Sequence, residues 1–174
     1  MRRDHLIIAL TLAIAGGAAL WWTVAPSWHS RVGTHVPAVE MTLLSGRHID
    51  LAELRGRMVL IDFWAPDCAP CVDELAELQA LSQRAGARVA LIGVAMAYSD
   101  PDVVRAVAAR AGVTFPLVWD RRGTIADELG GVRVTPTNLF IGVDGRIDGR
   151  IEGRLPESLS LQFINEAALG AKRQ

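Results

Sequence analysis

The two cysteines of the chain, Cys68 and Cys71, are separated only by Ala69 and Pro70. They stand between an apolar run, Met58 to Trp64, that reads as a buried strand, and a run from Cys71 to Ala85 that reads as a helix. Two thiols at such a junction can close a small disulfide, and the first would lie at a helix N-terminus, where the dipole favours a thiolate. The chemistry this permits is redox exchange. A structural zinc site needs four ligands, and there is no second cysteine pair and no histidine after His48. A purely structural staple is disfavoured too, because so short a loop removes little chain entropy, well below the ~3 kcal/mol expected for a 15-residue loop. Two unrelated buried cysteines remain the plain alternative.

The dithiol assigns roles to its neighbours. Cys68, nearer the helix N-terminus and the open strand end, is the expected attacking thiol; Cys71, one turn further in, is expected to resolve the mixed disulfide. Pro70 fits the first helical turn, where its missing N–H costs nothing. Asp62 interrupts an otherwise apolar strand, so its carboxyl is either satisfied at the strand end or held in low dielectric with a raised pKa. Glu74 shares a helical face with Cys71 at i, i+3, which suits a functional role as well as it suits dipole compensation; Asp73 is expected only to compensate the dipole. Asp67 places a carboxylate beside Cys68, which should raise that thiol's pKa.

These residues need a scaffold. At 174 residues and 51% hydrophobic, the chain holds one domain with a real core plus an N-terminal extra. A net charge of −1, with 21% charged residues, offers no basic face for nucleic acid. Residues 1–5 carry Arg2 and Arg3, and Leu6 to Ala25 is a charge-free stretch of 20 residues, ~30 Å long as a helix and enough to cross a bilayer. It is expected to be a single transmembrane anchor with residues 1–5 cytoplasmic and the rest exported. A removable leader usually has a shorter apolar core of about 7 to 15 residues, and Pro26 argues against cleavage after Ala25. Residues 26–37 read as a tether, 38–170 as the domain and 171–174 as a tail, with His29, His35 and His48 as solvated bystanders.

Within the domain, Val39 to Leu44 and Arg47 to Leu51 read as a hairpin around Ser45-Gly46. Leu75, Leu78, Leu81 and Ala85 form a helical stripe that stops at Gly86. Arg88 to Ala95 is a further buried strand, and Asp100-Pro101 opens a helix whose stripe is Val103, Val104, Val107, Ala108 and Ala111. A short strand, Leu117 to Trp119, and a short helix, Thr124 to Leu129, precede the strand Asn138 to Val143. From Arg146 to Arg154 alternation predicts a half-exposed strand with Ile147 and Ile151 on one face. Pro156 opens a closing helix with Leu159, Phe163 and Ala167 in line. The order implies an α/β fold with a mixed central sheet flanked by helices.

The stretch Val59-Leu60-Ile61-Asp62-Phe63-Trp64-Ala65-Pro66-Asp67-Cys68-Ala69-Pro70-Cys71 resembles the active-site segment of the thioredoxin superfamily. With Glu74, the pattern Cys-x-x-Cys-x-x-Glu resembles the membrane-anchored TlpA/ResA/CcmG-like thiol-disulfide oxidoreductases, over about Val36 to Ala168. The resemblance implies a thioredoxin fold with an N-terminal β-hairpin and a central helix-strand insertion. It implies that Asp62 accepts a proton from Cys71, and that Pro136 follows a cis bond facing the dithiol, with Thr135 and Trp64 meeting substrate. The redox-active disulfide would serve without any other cofactor. Substrates would be protein disulfides such as those of apocytochrome c, reduced on the periplasmic side of the inner membrane, and the electron donor a membrane protein of the DsbD/CcdA type. Two departures stand out. Asp67 replaces the tryptophan usual before the first cysteine, which favours a reductant, and Ala76 stands where relatives often carry a helix proline. The alternatives are an oxidase or isomerase on the same fold, a copper chaperone, which would be expected to add a distal histidine, or a peroxidase, which would need a lone activated cysteine.

Overall fold

In a computed structural model, residues 32–170 are described. The expected anchor, Leu6 to Ala25, most of the tether and the tail 171–174 lie outside the described residues, among which no helix is long and apolar enough to cross a membrane. Five strands build the main sheet in the order β5-β4-β3-β6-β7. At its centre is β3 (Met58–Trp64), every residue of which is buried. It pairs in parallel with β4 (Val89–Ala95) and antiparallel with β6 (Thr137–Ile141). Outside these lie β5 (Leu117–Trp119), parallel to β4, and β7 (Ile147–Glu152), antiparallel to β6. The sheet is therefore mixed, as the resemblance implied.

A strand buried on both faces has no polar side to spare, which explains the nearly unbroken apolar run. Met58, Leu60 and Trp64 pack into one core with Leu75 and Leu78 of α1 (Ala69–Ala85), Val104 of α2 (Pro101–Arg110) and Phe163 of α4 (Glu157–Gly170). Val59, Ile61 and Phe63 face the opposite core, with Ile125 of α3 (Thr124–Glu128) and the hairpin β1 (Glu40–Thr42) and β2 (His48–Asp50). Leu60, Ile61 and Phe63 are each fully buried, worth roughly 1.5–3 kcal/mol per side chain. Asp62 falls on the Leu60/Trp64 face by the two-residue period, under α1.

The helix boundaries follow local chemistry. The α1 helix ends at Gly86, whose φ of +57° suits a residue without Cβ. The Asp100 carboxylate accepts from the N–H groups of Asp102 at 2.8 Å and Val103 at 3.4 Å, capping α2. The buried Asp120 does the same for α3, accepting from Ile125 and Ala126.

Four expectations are corrected. The tether is shorter than residues 26–37: the Gly33 N–H donates to the Ile147 carbonyl at 2.7 Å, the Ile147 N–H donates to Thr34, and Val36 is buried. The free backbone groups of edge strand β7 recruit this segment. A bulge between Phe140 and Ile141 of β6 and their partners shifts the β7 register, so Ile147 joins one core and Ile151 packs against the other. On α2, Val103 is exposed and the buried positions are Val104 and Ala108. On α4, Ser160 is buried with Phe163 and Ala167, whereas Leu159 is exposed; burial at 160, 163 and 167 follows the helical repeat as well as 159 would. The hairpin forms where expected but makes its own two-stranded sheet, joined to β5 through Leu43 and Val118.

Candidate active site

Cys68 is the N-cap residue of α1, and Ala69 and Pro70 form its first turn. The Cys68 carbonyl accepts from the N–H groups of Cys71 at 3.0 Å and Val72 at 3.1 Å, so the turn that starts the helix also sets the spacing of the sulfurs. Cys68 and Cys71 are joined in a disulfide. The two sulfurs are not equivalent. Cys68 is half-buried and Cys71 only 1% exposed, so only the first can meet a macromolecule. The exposed carboxylate of Asp67 precedes Cys68, and exposed Pro70 lies between the cysteines.

The Thr135–Pro136 bond is cis. The carbonyl of half-buried Thr135 lies 3.4 Å from the Cys68 Sγ. A disulfide sulfur carries no proton, so this is a close contact here; in the reduced chain the Cys68 thiol could donate to that oxygen. The loop is held from behind by the Thr137 hydroxyl, which donates to the Val134 carbonyl at 2.8 Å, and by the Gly153 N–H, which donates to the Pro136 carbonyl at 2.8 Å. Pro66 and Asp67, just before Cys68 in the chain, line a shallow groove with the exposed Tyr98 and Val103.

Trp64 does not reach this surface. Its ring is fully buried, with Nε1 over Gly93 on the neighbouring strand, where an added Cβ would stand 3.3 Å from that nitrogen. The expectation that Trp64 meets substrate is therefore corrected: at the end of β3 it faces inward and forms the floor beneath the dithiol.

Two acids are buried in the same part of the molecule, Asp62 two residues before Trp64 on β3 and Glu74 three residues after Cys71 on α1. Asp62 is 1% exposed, and its Oδ1 has no hydrogen-bond partner. Burial, with a smaller contribution from the Glu74 charge, holds its pKa well above the usual carboxylate range. Glu74 is likewise 1% exposed. Its Oε1 accepts from the Asn138 Nδ2 at 2.9 Å and from the Leu155 N–H at 3.1 Å. Burial raises its pKa as well, opposed by those two hydrogen bonds and by the Arg154 charge. A carboxyl so enclosed is no surface dipole compensator. Asp73 is exposed, but the helix begins at Ala69 and its first turn holds no acid, so the expectation that Asp73 compensates the dipole is corrected: it lies one turn too far in.

One residue was missed from the sequence. Asn138 is fully buried, lies directly across the ladder from Asp62, and donates to Glu74. The signal was of the same kind as for Asp62: an amide at the head of the apolar run Leu139-Phe140-Ile141.

Residues 32–150 match the AhpC/TSA family. The chain is 28% identical over 155 residues, 84% of its length and 86% of the relative's, to the thiol-disulfide oxidoreductase ResA of Geobacillus thermodenitrificans. It is 32% identical over 117 residues, 66% of its length and 68% of the relative's, to the thioredoxin-like protein YneN of Bacillus subtilis. Among solved structures it resembles a secreted Mycobacterium tuberculosis disulfide oxidoreductase homologous to DsbE of E. coli, with a TM-score of 0.67 at 21% identity, covering 74% of this chain and 96% of that one. A thioredoxin fold that brings a cis-proline loop to a Cys68–Cys71 pair thus meets relatives named for the same exchange: the chain belongs to the AhpC/TSA family, as a thiol-disulfide oxidoreductase of the ResA/DsbE type.

Proposed function

We propose that the protein is an exported protein-disulfide reductase, held at the inner membrane by Leu6 to Ala25 and working on the periplasmic side. The observation that carries this reading is the asymmetry of the dithiol: Cys68 is partly accessible beside the cis-proline loop, and Cys71 is closed off behind it. The Cys68 thiolate attacks a substrate disulfide, forming a mixed disulfide and releasing one substrate thiolate. Cys71 loses its proton to the buried acids and attacks the Cys68 sulfur. The second substrate thiolate leaves, and the Cys68–Cys71 bond closes.

The reducing direction is supported by what surrounds Cys68. Strong oxidants owe their potential to a stabilised reduced form. Here the neighbours are the Asp67 carboxylate and the Thr135 carbonyl, which favour thiol over thiolate. No cationic side chain lies between the cysteines. The dithiol is the sole redox group in this reading. Extended substrate segments would pair with the Thr135 backbone, apocytochrome c among them, and a membrane thiol carrier of the DsbD/CcdA type would return the electrons.

Equilibrating the full-length protein with glutathione and dithiothreitol buffers tests the direction. A midpoint well below about −150 mV, towards the about −270 mV of thioredoxin, is expected. A value at or above about −150 mV makes the protein an oxidase or isomerase.

A further inference from the structure

The two buried acids carry one another's charge badly. Asp62 lies on β3 and Glu74 on α1, both at 1% exposure, and each charge raises the cost of the other. Such a pair gives up its protons in two separate steps. Between the first and the second it holds one proton and one negative charge, and which carboxyl holds which decides what the site can do.

Asn138 breaks the tie. It stands on β6 directly opposite Asp62 in the ladder, yet its amide does not serve Asp62. Its Nδ2 reaches Glu74 Oε1 at 2.9 Å, the oxygen that the Leu155 N–H also holds, so one carboxyl receives two donors. Asp62 Oδ1 receives none. A hydrogen bond to an ionised acceptor is worth more than one to a neutral acceptor, so both donors favour the charge on Glu74. The remaining oxygen, Glu74 Oε2, is buried without a partner, one helical turn from Cys71. The other charged groups near Glu74 are Glu77 and Arg84 of α1, Arg154 after β7 and Glu157 of α4, which line a groove of ≈ 520 Å³ with it. Arg154, ion-paired with Glu77, also favours the charge on Glu74, but less than the two hydrogen-bond donors do.

We propose that Asn138 is a positioning residue for thiol exchange: its amide N–H fixes the single negative charge of the buried pair on Glu74 and leaves the proton on Asp62. The inference rests on the exchange chemistry proposed above. In the resolving step the Cys71 proton goes to Glu74 Oε2, the Cys71 electron pair forms the bond to the Cys68 Sγ, and the substrate sulfur departs with the electrons of the bond it loses. When a donor thiol reduces the protein again, the proton returns from Glu74 to Cys71. Asp62 stays protonated throughout and keeps a second charge out of the cavity.

The test follows the side-chain carboxyl carbons by NMR in the oxidised full-length chain, where the cysteines do not titrate and no substrate is needed. Its outcome is therefore independent of the redox direction or client. In the wild-type chain Glu74 is expected to ionise at lower pH than Asp62. In Asn138→Leu, which keeps the volume and removes the donor, the Glu74 midpoint should rise by about one to two pH units, the worth of a hydrogen bond to a charged group. The pH profile for resolution of a mixed disulfide by Cys71 should rise with it. A merely structural amide would leave both profiles in place. Asp62 ionising first in the wild type, or an unmoved Glu74 midpoint in a folded Asn138→Leu chain, overturns the proposal. If the variant does not fold, the wild-type order still overturns the proposal when Asp62 ionises first, and Asn138→Asp, which keeps the shape and removes the amide donor, repeats the test of the Glu74 midpoint.

Discussion

Replacing Asp62 by Asn should make the protein more stable, and only at pH values where the carboxyl ionises once the chain unfolds. Asp62 is 1% exposed in the middle of β3, flanked across the sheet by Gly93 and Asn138, and its Oδ1 has no partner. Its pKa is raised in the folded chain, above all by burial. The folded state is then the better proton binder, so its stability is full below the ordinary aspartate value of about 3.9 and falls as pH rises through the higher folded value. Asparagine has the same shape and no charge to lose. Asparagine meets the same lack of a partner, so that cost cancels and the difference is the proton's release on unfolding, about 1.4 kcal/mol for each unit by which folding raises the carboxyl's pKa. Asp62→Asn should therefore gain about 1–3 kcal/mol at about pH 8 and close to nothing at about pH 3.5. The corresponding rise in Tm at the higher pH is roughly 3 to 12 °C for a domain of this size. Urea unfolding of both chains at the two pH values, with the m-value as a check on the unfolded state, measures the difference directly. A gain of equal size at both pH values, or a loss at the higher one, would show that the carboxyl is not held uncharged by its surroundings.

Cys71→Ser should accumulate a mixed disulfide between Cys68 and a client, visible as a reducible adduct in mass spectrometry, whereas Cys68→Ser should form none because Cys71 is shielded. Asp67→Asn should lower the Cys68 pKa by a few tenths of a unit, the scale of an exposed charge interaction; ultraviolet titration of the thiolate reads this, and an unchanged or raised value argues against the reductant assignment. Gly93→Ala should destabilise by about 1–3 kcal/mol, since its Cβ would lie 2.8 Å from Leu117 Cδ2 and 3.1 Å from Phe115 Cε2; a melt indistinguishable from wild type would mean that both side chains withdraw freely. Phe163→Ala should cost about 3–5 kcal/mol, losing an edge-on contact with Phe140 at 4.9 Å between ring centres.

The parts of the fold that rest on local chemistry were legible in the sequence. The apolar run of β3, the proline and aspartate that open α2 and the glycine that ends α1 each act within a few residues of themselves. Periodicity failed where a distant partner decides. The bulge opposite Phe140 and Ile141 depends on how β6 and β7 meet, and alternation within β7 alone cannot reveal it. Val103 and Leu159 are apolar at helical spacing but fall just outside the buried stripe, since a stripe permits several neighbouring faces until the sheet beneath selects one. At the site, the dithiol, Asp62 and Glu74 could be named because charge or sulfur in an apolar run is conspicuous. Trp64 was misplaced because a tryptophan beside a reactive cysteine suits a floor as well as a contact surface. Asn138 was passed over because its meaning comes from residues 64 and 17 positions away, Glu74 and Leu155, which only folding brings together.

Both rims of the main sheet are occupied by chain that precedes it. The segment around Gly33 and Thr34 is laced to β7, and Leu43 and Leu44 are laced to β5. Those pairings take up backbone at β5 and at the start of β7, the two edges where a β-sheet most readily acquires an extra strand. The leading segment therefore doubles as edging for the sheet, occupying backbone groups that would otherwise invite aggregation.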